Sequence, residues 1–297
     1  MDYKKYFEDI SIDISNAKNI QQALEMANLN YKVEAQNIYL KNGNIIPNKF
    51  ANVRLDNNQV LGIVGKNYNI TQNLDSFSFV DALISLSGLE FANAGALNDN
   101  NGAFILLKHK PVEMVNSMFN PYILITNNFD GSGAIGIEFT ILRDLCDSVV
   151  LLTDKNIEWK FTLKHCKNAG KDFDVNNINN LLEKYIKFLE KTLNDLYNKK
   201  TTDDTFNKLL KELIPIDDKL SNILKLRYEN MQKDILEIYN TLEIENNAYK
   251  IILAVAIYES HRIPLRDTGN NYIYMDRVRA GMELTNNMFK IIKRRIL

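Results

Sequence analysis

The stretch YILITNNFDGSGAIGIEFTILRDLCDSVVLL, running from Tyr122 to Leu152, decides how the chain is read. Tyr122 to Thr126 and Ala134 to Leu142 are rich in β-branched and aromatic residues, which suit a pleated, half-buried surface. Between them lies a polar segment ending in Asp130-Gly131-Ser132-Gly133. Asp supplies a side-chain hydrogen bond and Gly a positive φ, so the segment reads first as a hairpin turn. The alternative is an anion nest, in which successive backbone N–H groups and Ser132 hold a phosphate. Arg143 and Cys146 follow at i and i+3, a spacing that places them on one face if they share a helical turn. A neighbouring cation lowers a thiol pKa, whereas an arginine paired with Asp144 or Asp147 beside a buried cysteine has no chemistry.

Upstream, the same extended pattern recurs. Tyr31 to Leu40 reads as a strand pair leading to a turn at Asn42-Gly43, with Ile45 and Ile46 starting the return. Arg54 leads through Asp56-Asn57-Asn58 into the apolar strand Val60 to Val64, which Tyr68 and Ile70 extend. Asn73 is placed to cap a helix carrying Phe77, Val80, Leu83, Ile84 and Leu86, stopped at Gly88. Phe91 to Leu97 and Ala103 to Lys108 add strands around an exposed turn at residues 98–102, and Ile20 to Ala27 forms a short helix.

Downstream, the period changes. From Val175 to Tyr197, apolar residues recur at offsets of three and four, the mark of an amphipathic helix. Phe206 to Leu213, Leu220 to Tyr239, a buried Ala248 to Ser260 and a basic Thr285 to Ile296 supply four more. The expected fold is α+β: an N-terminal antiparallel sheet with a packed helix, followed by a mainly helical C-terminal half. The expected division is residues 1–165 as the sheet-rich domain and 166–297 as the helical region packed on it.

At 297 residues, 45% of them hydrophobic and 25% charged, the chain has the composition of an ordinary globular protein. Its net charge of −1 hides an asymmetry. Residues 1–150 hold 11 basic against 16 acidic groups (−5), and residues 151–297 hold 25 against 21 (+4). Residues 262–297 alone carry 8 basic against 3 acidic groups. Two cysteines and three histidines spread over the chain do not make a zinc site, so no metal or cofactor is expected. The start of the chain lacks the apolar core of a signal peptide, and no apolar run has the length of a membrane span. These features predict a cytoplasmic protein without a membrane partner.

Four stretches together resemble the family built on domain of unknown function 932. They are Leu61 to Asn73 with the helix after it, Gly102 to Lys110, Thr126 to Cys146, and a C-terminal combination of His165, Tyr258 to His261 and Arg277 to Gly281. Residues Asn128, Asp130, Gly131, Ser132, Arg143, Cys146 and His165 carry the motif, within a resemblance covering about residues 45 to 290. The family pattern has Ser-His where Asn128-Phe129 stands, and Asn-Thr-Leu where Asp147-Ser148-Val149 stands. The resemblance implies a protein of a phage or plasmid in a bacterial host.

No catalytic motif is present: HExxH, GxSxG and a Walker lysine are all missing, so no catalytic residue is assigned, and an enzyme using Asp130, Arg143 and Cys146 stays open as a third reading behind two non-enzymatic ones. The densest ionisable set follows the buried helix. Arg262, Arg266, Arg277 and Arg279, interleaved with Tyr272 and Tyr274 and extended by Lys293 and Arg294, are the expected nucleic-acid-binding residues. Arginine forks grip phosphates and tyrosines stack on bases; the competing reading is an ion-pair network that joins the two halves. The expected function is non-enzymatic binding of single-stranded nucleic acid, annealing or protecting it during replication or recombination. The alternative is binding and blocking a host defence or replication protein. Homo-oligomerisation is left open.

Overall fold

The computed structural model describes residues 11–97, 101–131, 135–143, 148–163, 174–261 and 281–297. Among these, the N-terminal part holds β1 (Ile12–Asp13), α1 (Ile20–Met26), β2 (Val33–Tyr39), β3 (Ile45–Arg54), β4 (Val60–Gly65), α2 (Asn73–Ser76) and α3 (Val80–Ser87). Then come β5 (Glu90–Leu97), β6 (Gly102–Lys108), β7 (Val112–Met114), β8 (Ser117–Asn128), β9 (Ile135–Arg143), β10 (Ser148–Val149) and β11 (Lys160–Leu163). The rest is helical: α4 (Val175–Asn198), α5 (Asp203–Leu213), α6 (Asn222–Thr241), α7 (Ala248–His261) and α8 (Glu283–Arg295). The fold is α+β, with an antiparallel sheet and helices followed by a mostly helical C-terminal half.

The strands form two antiparallel sheets. The large one runs β1-β5-β6-β8-β9-β10, with β7 beside β8 and β11 beside β9; the small one is β2-β3-β4. The stretch that organised the sequence is the centre of the large sheet: β8 and β9 pair from Phe119↔Arg143 to Thr126↔Gly136. Side chains alternate across a strand, so Ile105, Leu107, Ile123, Ile125, Ile137, Phe139 and Ile141 all enter the main core. The opposite face carries a smaller cluster of Leu97, Phe104, Leu106 and Leu124.

The helices cover the first of these faces. In α4, Ile178, Leu182, Tyr185, Ile186, Leu189, Leu193 and Leu196 are buried, and the Asp174 side chain accepts from the amides of Asn176 and Asn177 to cap it. Tyr185 lies 5.9 Å from the Phe139 ring and donates its hydroxyl to Leu152 O at 3.3 Å. Helix α7 is buried at 12 of its 14 residues, as expected of a helix apolar on most sides, and packs against α4, α6, α8 and β10. One buried cluster therefore runs continuously from Ile14 to Ile292.

Several expectations are corrected. Tyr31 to Leu40 is one strand, β2, rather than a pair, and Tyr68 and Ile70 do not extend β4, which ends at Gly65. The helix expected after Asn73 is two helices: α2 has Gln72 at its N-cap, and α3 begins at Val80 after a break at Phe77 to Phe79. Asn73 is not a cap, because its amide turns inward and donates to Leu29 O at 2.9 Å. Gly88 does close α3, with φ +66°. Arg143 ends β9 in extended backbone opposite Ser148, so the helical turn shared with Cys146 does not begin there. Strand β8 is longer than expected, and β7 turns tightly into it through Val115 and Asn116, both at positive φ.

Candidate functional site

The turn after β8 is held from three directions. Asn128 and Phe129 are fully buried, Asp130 is partly exposed and Gly131 is exposed with φ +79°. On the core side, the Asn127 amide donates to Thr71 O (3.1 Å) and to Asn73 Oδ1 (2.9 Å). From the small sheet, the Asn52 amide donates to Phe129 O at 2.6 Å. The Tyr68 hydroxyl donates to Asn128 O at 2.8 Å, and its phenol is pushed far up, first by burial and then by the nearby Asp130 charge.

Two glycines make this approach feasible. A Cβ at Gly62 would stand 2.3 Å from the Asp130 Cα, and one at Gly102 would stand 2.6 Å from Asn127 O. Real carbon contacts lie near 3.5–4.0 Å, so both positions require the missing side chain. The motif turn is therefore wedged between β4 and the first residue of β6. Of the other motif positions, Arg143 ends β9, whereas Ser132, Cys146 and His165 lie outside the described residues.

The second face of the large sheet carries a group of polar residues of which the sequence reasoning named only Asn128. Glu138 is fully buried, and Lys160, opposite it in register on β11, places Nζ 3.0 Å from its carboxylate. Thr126, Asn128 and Thr140 lie on the same face, all buried. Gly136 makes room there: a Cβ would meet Thr126 Oγ1 at 2.7 Å and Glu138 Oε1 at 3.3 Å. The signal was present in the alternation of β9, where Gly136, Glu138 and Thr140 interleave with Ile137, Phe139 and Ile141. Its partner, 22 residues on, required the register to be known. Among the described residues, no three His, Cys, Asp or Glu side chains converge as a metal would require.

The helical half adds a charged site at each end of α8. At its start, the buried Glu259 carboxylate accepts from Leu284 N (2.9 Å), Thr285 N (2.8 Å) and Thr285 Oγ1 (2.7 Å). A carboxylate on the free amides of a helix N-terminus is favourable both as a hydrogen bond and against the helix dipole. Glu259 therefore joins α7 to α8. Asn286 ties the same helix to the segment after β10, accepting from Thr153 N and donating to Leu151 O.

At the other end, Lys293, Arg294 and Arg295 fill the last turn, where cations suit the helix dipole. Lys293 reaches Asp154 at 2.7 Å and stands 5.5 Å from the Phe289 ring centroid. Arg294 and Arg295 both contact Glu212, Arg295 at 3.2 Å. The Arg295 hydrogen bond holds the Glu212 carboxyl below its ordinary range, and Lys293 does the same for Asp154. The other expected binding residues, Arg262, Arg266, Tyr272, Tyr274, Arg277 and Arg279, lie outside the described residues. Beside α8, a groove of about 530 Å³ lies among α6, α7 and the start of α8, lined by Ile223, Leu226, Tyr258 and Glu283 among others.

A family model for a domain of unknown function, DUF932, matches residues 60–279. The chain belongs to the DUF932 family. The matched residues begin with the first residue of β4 and lie within the span expected from the sequence. They include the wedged turn, the Glu138–Lys160 pair and Glu259; Asn52 and the basic end of α8 fall beyond them. Comparison with curated proteins and with solved structures returned no match.

Proposed function

We propose that this member of the family is a nucleic-acid-binding protein of a phage or plasmid, acting without catalysis to anneal or protect single strands during replication or recombination. The observation that carries the reading is the last turns of α8, which hold Lys290, Lys293, Arg294 and Arg295, the last three of them contacting two carboxylates, Asp154 and Glu212. Four cations against two anions leave a local positive surplus on a chain whose net charge is −1. The basic segment Arg262 to Arg279, with Tyr272 and Tyr274, precedes this helix in sequence and supports the same reading. The phage or plasmid setting rests on the resemblance of the motif stretches.

Fluorescence anisotropy with labelled single-stranded and duplex DNA across a salt series tests the proposal. The expected result is preferential single-strand binding that weakens with salt, by a log–log slope of about −0.7 per phosphate neutralised. Neutralising Lys293 and Arg294 together, or reversing Arg277 and Arg279 together, weakens that binding while the protein stays folded in a thermal melt. Absence of binding at low salt refutes the reading.

A second reading has its own observation. The small sheet exposes Tyr39 (60%), Val60 (55%) and Ile63 (61%), together with Leu40 and Ile45 at its hairpin end. Exposed apolar groups gathered on one element are a mark of protein-binding surfaces. They fit a factor that binds and blocks a host protein. A complex recovered from host extract after nuclease treatment, and lost in an Ile63→Lys variant, favours it.

A further inference from the structure

We infer that Glu212 and Asp154 occupy the positions that phosphates of a bound strand take, so that the basic end of α8 is masked by the protein's own carboxylates until a polyanion displaces them. The inference rests on the nucleic-acid reading above and adds its regulation. Glu212 engages two guanidinium groups at once: Oε1 contacts Arg294 Nη2 and lies 3.5 Å from Arg295 Nη2, and Oε2 accepts from Arg295 Nε at 3.2 Å. A planar two-oxygen anion held by one arginine fork and a second guanidinium has the geometry in which arginine grips phosphate. Lys293 makes the single-point equivalent with Asp154.

Neither carboxylate belongs to α8. Glu212 stands next to last in α5, and Asp154 in the turn after β10, so tertiary packing brings them to the cations. All five side chains remain partly open to solvent, and Arg294 and Arg295 are more than half exposed. A competing anion therefore has access to them. A single carboxylate offers one charge to such a group. A strand presents several phosphates together and releases counterions as it docks, which favours exchange at low salt.

Glu212→Gln keeps the shape of the side chain and one acceptor oxygen while removing its charge. The experiment measures binding of the parent, the Glu212→Gln variant and a Glu212→Gln/Arg294→Ala/Arg295→Ala variant to two probes: a labelled oligothymidylate and inorganic polyphosphate. Melting curves confirm that each variant folds. The expected result is affinity raised about three- to tenfold by Glu212→Gln on both probes, with the gain lost when both arginines are removed. Equal oligothymidylate binding by parent and Glu212→Gln overturns the inference and leaves the nucleic-acid reading standing. A gain that survives removal of the arginines also overturns it, because the effect is then one of net charge alone. If the oligothymidylate is bound by neither protein while polyphosphate is bound more tightly by Glu212→Gln, the masked phosphate seat stands and the nucleic-acid reading falls. Failure of every protein to bind either probe overturns both.

Discussion

Replacing Gly62 with alanine tests whether the motif turn is wedged against β4 by contact between main chains. The new methyl would stand 2.3 Å from the Asp130 Cα, 2.9 Å from its Cβ and 3.1 Å from its carbonyl carbon. Relief to an ordinary contact of about 3.5 Å requires more than an ångström of relative movement. The atoms in the way are mostly backbone, so no rotamer change supplies that movement. The movement also pulls at the bonds from Asn52 to Phe129 O and from Tyr68 to Asn128 O, which fix the same turn. Overpacking of this kind costs about 1–3 kcal/mol, and a contact with main chain belongs at the upper end. At about 2–4 °C per kcal/mol for a chain above 150 residues, the melting temperature falls by about 6–12 °C. Gly65→Ala is the internal control, on the same strand with nothing within 4 Å of the added Cβ. Its expected effect is within about 0.5 kcal/mol. Thermal melts by circular dichroism decide the matter. If Gly62→Ala melts with Gly65→Ala, the wedge does not exist and the turn is held by its hydrogen bonds alone.

Other expectations follow from the charged pairs and the Glu259 carboxylate. Lys160→Met removes the ammonium 3.0 Å from the fully buried Glu138 carboxylate and lowers stability by about 3 kcal/mol, with part of the loss recovered in a Glu138→Gln/Lys160→Met double variant; urea melts read both. Glu259→Gln weakens the three bonds that start α8 and costs about 1–3 kcal/mol, seen as a lower denaturation midpoint and faster amide exchange at Leu284 and Thr285. Asp154 and Glu212 both titrate below their ordinary values of 3.8 and 4.5 in the folded chain, so their contribution is present above about pH 4.5 and is lost as pH falls through the depressed values. Melts from pH 6 to pH 3 therefore show a decline that is shallower in Asp154→Asn, and an identical decline in the variant removes Asp154 from the account.

Much of the α+β architecture was legible before any coordinates. The β8–β9 hairpin declared itself through two β-rich runs around Asp130-Gly131, and α4 through apolar residues three and four apart. Those signals are local, because a strand or helix face is written in neighbouring residues. The reading went astray where a local rule met a distant partner. Asn73 looks like a cap, yet its amide is drawn to Leu29 O, 44 residues away. Tyr68 looks like a continuing strand, yet its hydroxyl meets Asn128 O, 60 residues on. Arg143 to Cys146 has helical spacing, but pairing with β8 and β10 holds Arg143 extended.

The candidate sites divide in the same way. The sequence by itself determined which residues have the right chemistry: the turn at Asp130-Gly131 and the cations of the last helix. Only the tertiary structure decided what each of them meets. Register placed Lys160 against Glu138, packing of α5 on α8 placed Glu212 against Arg294 and Arg295, and α7 set Glu259 on the amides of α8. The physical reason is range. Propensity and periodicity act over a few residues, whereas an ion pair or a buried hydrogen bond depends on two side chains lying within about 3 Å, whatever the length of chain between them.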